Sequence, residues 1–77
     1  MSAKLREAID RSESQHQVVR IEFGGNESEL IAELFALAGP DGDMDTATED
    51  DGTIDAWGWT PATPANEQDW RLNVTLT

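Results

Sequence analysis

Seventy-seven residues without a cysteine allow one domain with a modest core, since a chain this short buries only about 60% of the surface it exposes when unfolded. The missing Cys excludes disulfides, thiol catalysis, Cys-ligated zinc and iron–sulfur centres. Sixteen acidic residues against five basic ones leave a net charge of −11, a field that repels nucleic acid and anionic lipid and draws in cations and basic protein surfaces.

In chain order, residues 3–13 predict a short amphipathic helix. Leu5, Ala8, Ile9 and Ser12 follow the i, i+3, i+4, i+7 spacing, and Ser2 is placed as an N-cap. Ser12 to Gln17 reads as a polar linker. Residues 18–23 predict a strand, with Val19, Ile21 and Phe23 on one face and Val18, Arg20 and Glu22 on the other. Gly24-Gly25 ends it. Asn26 then stands as an N-cap with Glu29 three residues on, the capping-box pattern, and Glu27 and Glu29 suit the positive end of a helix dipole. That helix runs to about Ala38 with Leu30, Ile31, Leu34, Phe35 and Ala38 as its apolar stripe, and Gly39-Pro40 stops it.

Residues 39–52 read as an acidic loop carrying Asp41, Asp43, Asp45, Glu49, Asp50 and Asp51. Residues 53–60 predict a second strand, in which Thr53, Asp55, Trp57 and Trp59 alternate with Ile54, Ala56 and Gly58. Residues 61–68, with Pro61 and Pro64, form a loop. Residues 69–76 predict a last strand with Trp70, Leu72, Val74 and Leu76 toward the core and Arg71, Asn73 and Thr75 away from it. The expected fold is a single α+β domain over residues 1–77, an N-terminal helix and linker over 1–17 followed by an αβ body over 18–77. Its order is α-β-α-β-β: a three-stranded mixed sheet with the helices packed on one face and the other face partly bare.

The charge is uneven along the chain. Residues 1–20 hold Lys4, Arg6, Arg11 and Arg20 against Glu7, Asp10 and Glu13, a net of +1, whereas residues 21–77 set Arg71 alone against thirteen acids, a net of −12. No apolar run approaches the about 18 residues a membrane span requires, and no apolar segment follows the N-terminus as in a signal peptide. The expectation is a soluble, cytoplasmic protein with no membrane association.

Few residues suit catalysis. His16 is the sole histidine and falls in the polar linker, where a surface role is the simpler reading. An acid–base pair of carboxylates needs a cleft that drives the two pKa values apart, and nothing in the pattern marks one. Gly24-Gly25-Asn26 precedes a helix N-terminus, a phosphate-holding geometry, yet Glu27 and Glu29 repel an anion there and a tight turn accounts for the glycines. Asp41, Asp43 and Asp45 match the first, third and fifth positions of a calcium-binding EF-hand loop, but Thr46 replaces the glycine and Gly52 the closing glutamate. A different calcium site using Asp50, Asp51 or Asp55 stays open as an alternative. The expectation is no enzyme, no cofactor and no metal site.

A partner-binding surface is the stronger expectation. Glu29 and Glu33, at i and i+4 and so about 5–6 Å apart on a helix, would join Asp41, Asp43, Asp45, Glu49, Asp50 and Asp51 in an anionic stripe that also takes in Asp55. Trp57 and Trp59 lie at i and i+2, on one face of a strand; if Ile54 and Ala56 point inward, both point out, where Trp serves as a binding anchor. In a small domain, filling the core is the competing role for them, and Trp70 is placed near them across the hairpin. In size, acidity, lack of Cys and lack of catalytic groups the chain resembles the small acidic inhibitor proteins that phages encode against host defences, including anti-CRISPR proteins that act as DNA mimics. That class shares no motif, so the resemblance carries no residue roles. It implies a stoichiometric inhibitor, acting in the host cytoplasm, that docks on a basic nucleic-acid-binding surface of a CRISPR surveillance complex or a similar enzyme, as a monomer or weak dimer and without binding nucleic acid itself. The alternatives are a structural or assembly module, whose acidity serves solubility or adaptation to a salty cell interior, and a small calcium-binding domain.

Overall fold

A computed structural model describes residues 3–39, 42–64 and 66–77; Ser2, Pro40 and Asp41, to which the sequence assigns a cap, a helix stop and a binding carboxylate, lie outside them. The order is α1 (Ala3–Gln15), β1 (Val18–Phe23), α2 (Glu27–Ala38), β2 (Asp43–Thr48), β3 (Ile54–Trp59) and β4 (Trp70–Leu76). The four strands form one mixed sheet in the order β1-β4-β3-β2. β1 pairs parallel with β4, while β4–β3 and β3–β2 are antiparallel.

The fold is therefore α+β with both helices on one face of the sheet, as expected, but with four strands rather than three. β2 is the correction. Asp43–Thr48 reads as loop because it holds one large apolar side chain, Met44, which is half-buried against the core. A strand at the margin of a sheet with one bare face needs no more apolar surface than that. The Glu49–Gly52 turn closes the hairpin: Gly52 N–H donates to Glu49 O at 3.0 Å and Glu49 N–H to Thr53 O at 2.9 Å. Gly52 adopts φ 87°, the left-handed geometry that ends a type I turn of this kind and that glycine takes without steric cost.

A single core lies between the layers. Leu5, Ala8 and Ile9 from α1 and Leu30 and Leu34 from α2 meet Val19, Ile54, Ala56, Trp70, Leu72 and Val74 from the sheet. Trp70 pairs with Gly58 across β3–β4, and a Cβ at Gly58 would collide with the Trp70 ring; the glycine makes room for the largest core side chain. Phe35, expected in the buried stripe of α2, is instead 57% exposed. The helix buries Leu30 and Leu34 and leaves Ile31 half-covered, and the strand it lies against is the marginal β2.

Three local motifs hold the elements in place. Asn26 Oδ1 accepts the Glu29 N–H at 2.9 Å while Glu29 Oε1 accepts the Asn26 N–H at 3.1 Å, so the expected capping box is complete. Ser12, 1% exposed, accepts the Arg71 N–H at 2.7 Å and lies within donating distance of Gln17 O at 2.7 Å and Arg71 O at 2.9 Å. Its place in the apolar stripe of α1 thus hides a polar joint between helix and sheet. Beyond α1, His16 takes φ 54° and Gln17 N–H reaches back to Ser12 O at 3.3 Å, the pattern of a Schellman C-terminal cap.

Candidate functional site

The sheet has two unlike faces. Core-facing and outward residues alternate on every strand, and the pairing register aligns the outward ones in rows. One row runs Asp45, Trp57, Arg71, Val18; the next runs Ala47, Asp55, Asn73, Arg20; and Asp43 stands opposite Trp59 at one end. Both helices pack on the opposite face, so this face is uncovered among the described residues. Ile54 and Ala56 are buried, and Trp57 and Trp59 are half-buried on the open face. Trp70 points the other way, into the core, and does not join them.

Polar side chains knit one end of this face. Asn73 Nδ2 donates to Asp55 Oδ1 at 2.8 Å and to Thr53 Oγ1 at 3.0 Å, and Thr53 Oγ1 donates to Asp51 Oδ1 at 2.6 Å. Thr53 N–H also donates to Asp51 Oδ1 at 3.0 Å. These bonds from Thr53, side chain then backbone, hold the Asp51 carboxyl below its ordinary value, with Arg20 adding a smaller attraction. Glu49 is pushed the other way. The neighbouring Asp55 carboxyl, first through hydrogen bonding and then through charge, pushes it above the ordinary glutamate value, with desolvation and Asp51 adding less.

Two shallow hollows adjoin on the face. One of about 710 Å³ is lined by Arg20, Glu49, Asp51, Thr53, Asp55 and Asn73 among others. The second, about 340 Å³, is more apolar and lies between Val18, Trp57, Gln68, Arg71 and Leu72, with Asp55 shared at the boundary. Among the described residues no three His, Cys, Asp or Glu side chains are placed to hold a metal ion.

The sequence-derived stripe is thus partly assembled. Asp43, Asp45, Glu49, Asp51, Asp55, Trp57 and Trp59 lie on the open face or its rim, and Asp50 is at the hairpin tip. Glu29 and Glu33 are elsewhere: on α2, in the helical layer, where they line a hollow with Lys4, Glu22 and Phe23. Asp41 lies outside the described residues. α2 touches the hairpin through a different acid, Glu27, whose Oε1 accepts the Thr48 hydroxyl at 3.1 Å. Sequence reasoning also passed over Arg20, Arg71 and Asn73. Their outward parity was legible, but their convergence depends on the parallel β1–β4 pairing.

No helix among the described residues is long and apolar enough to cross a membrane. Compared with protein-family models, with curated proteins and with solved structures, the chain matches none.

Proposed function

We propose that this protein is a stoichiometric inhibitor that docks its open sheet face on a basic, nucleic-acid-binding surface of a host protein complex, such as a CRISPR surveillance complex. One observation carries the reading: Asp43, Asp45 and Asp55 stand in register beside Trp57 and Trp59 on a face that neither described helix covers. Carboxylates across this face and the Glu49–Asp51 turn offer a partner's Lys and Arg the negative charge they otherwise find on phosphates. The two indoles supply flat apolar area that a guanidinium can stack on and water leaves readily. Arg71, between Trp57 and Val18, and Arg20, beside Asn73, give the surface two cations, which restrict the partners that fit.

The experiment is affinity capture from host lysate at about 50 mM and about 500 mM salt, with and without excess duplex DNA, followed by titration of the captured partner with wild type, Trp57→Ala and Asp43→Asn/Asp45→Asn. The expected result is binding that falls steeply with salt, is displaced by DNA, and weakens at least about tenfold in each variant. Capture that resists high salt, ignores DNA and is indifferent to both variants overturns the proposal. The alternative is an assembly module that uses the same bare face and its tryptophans, with the charge serving only solubility.

A further inference from the structure

We propose that β1 is a homodimerisation edge, through which two copies join their sheets into one eight-stranded antiparallel-centred sheet; this does not rest on the proposed function. Among the described residues β1 pairs only with β4. Thr77 N–H donates to Phe23 O at 2.9 Å, so Phe23 turns its backbone groups toward β4. Backbone direction alternates along a strand, so Val19 and Ile21 do the same, while Val18, Arg20 and Glu22 turn their N–H and C=O groups to the open edge. This edge has six regular residues, with no proline, glycine or bulge in it, the features that ordinarily blunt a free edge.

The occupant follows from charge. A second copy approaching antiparallel must oppose residues of like parity, and the outward backbone groups must meet. Pairing Arg20 with Glu22 of the second copy satisfies both conditions. By two-fold symmetry it forms twice, and it centres Ile21 on its own mate. It also sets Val19 against Phe23 on the core side, covering Ile21 and Phe23, which are half-buried in one copy. Shifting the register by one allowed step opposes Arg20 with Arg20 or Glu22 with Glu22, so the charges select one register. The edge also lies where two copies, each of net charge −11, repel least: the groove beside it is lined by Lys4, Arg11 and Arg20 with Ile21, Glu22 and Thr75. At the other edge of the sheet, β2 carries Asp43 and Asp45, which oppose pairing with another copy.

Sedimentation of the full chain at about 0.15 M salt, where screening reaches roughly 8 Å, tests this. Wild type is expected to rise with concentration from 8.5 kDa to twice that mass. Arg20→Glu and Glu22→Arg alone oppose like charges and should each weaken association at least about tenfold. An equimolar mixture of the two variants, and the double variant R20E/E22R, restore opposite pairs and should restore the dimer. Both side chains are exposed, and circular dichroism verifies that each variant folds. Amide exchange on wild type gives a separate readout: the Arg20 and Glu22 N–H groups should slow as concentration rises, and those of β2 should not. A wild type that stays at the monomer mass into the millimolar range, a dimer that survives both single variants, or a mixture that stays monomeric overturns the proposal.

Discussion

Removing the Ser12 hydroxyl should cost far more than its small size suggests. In wild type the Oγ is sealed in the core, 1% exposed, and joins α1, the α1–β1 turn and β4 at 2.7–2.9 Å. A hydroxyl has one proton, so it donates to either Gln17 O or Arg71 O at a given instant while accepting from the Arg71 N–H. In Ser12→Ala the Arg71 N–H loses its acceptor at a buried site, a desolvation penalty of about 1–3 kcal/mol, and one carbonyl loses its donor, about 0.5–1.5 kcal/mol. The sum, roughly 2–4 kcal/mol, compares with a total stability of about 4–12 kcal/mol for a domain of this length. Urea unfolding followed by Trp fluorescence should show the midpoint fall with the slope unchanged, and heating should show a melting point lower by about 8–30 °C. Ser14→Ala is the control, since its hydroxyl bonds Arg11 O at the exposed surface. A Ser12→Ala loss below about 0.5 kcal/mol, equal to the Ser14 control, would refute the reasoning and show that water replaces the hydroxyl.

Gly58→Ala should destabilise by about 1–3 kcal/mol through overpacking, because the added Cβ meets the buried Trp70 ring; near-ultraviolet circular dichroism of Trp70 should change with it, and an unaltered spectrum with unaltered stability counts against that packing. His16→Gly should stabilise by about 0.5–1 kcal/mol, since the position holds φ 54°, and a drop in melting point would show that the imidazole itself matters. For pH, Glu49 holds a raised pKa, so folding takes up a proton and stability should rise as pH falls from neutrality through that raised value, levelling off below the ordinary 4.5. Asp51 has the opposite sign: its contribution is present above the ordinary 3.8 and is lost as pH falls through its lowered value. Glu49→Gln should remove much of the first slope, and a wild-type melting point that falls steadily as pH drops from neutrality to 4.5 excludes this account.

Much of the fold is legible in the sequence because local and tertiary demands agree there. The Asn26–Glu29 box, the Val18–Phe23 alternation and the Ile54–Trp59 alternation each specify an element without knowledge of its neighbours, and all three stand in the structure. Asp43–Thr48 is different. Its propensity is poor and its apolar content is a single Met44, so its conformation is imposed by hydrogen bonding to β3 and by the Glu49–Gly52 turn. Phe35 fails for a related reason: helical spacing marks a stripe, but the width of the stripe that is buried depends on what lies beneath the helix. For the candidate surface, parity alone puts Asp55, Trp57 and Trp59 together. The separation of Glu29 and Glu33 from them was not legible, because it depends on which layer each element occupies rather than on spacing within it.

The distribution of the acids bears on why they are there. Charge that serves solubility alone works wherever it is placed, and spreading it evenly minimises self-repulsion. Here Glu49, Asp51 and Asp55 gather at one end of a sheet face, where Asp55 and, less strongly, Asp51 push the Glu49 carboxyl above its ordinary value. The adjoining indoles are half-buried on the open face, whereas Trp70 lies in the core. The docking account predicts such acids beside partly open indoles on one face, and the solubility account does not require them. The two accounts separate on neutralising substitutions. Asp45→Asn and Glu49→Gln together should leave solubility nearly unchanged, because most of the −11 remains, and should raise thermal stability by relieving repulsion. Under the docking account they should also weaken partner binding; under the solubility account, binding to any partner should be indifferent to them.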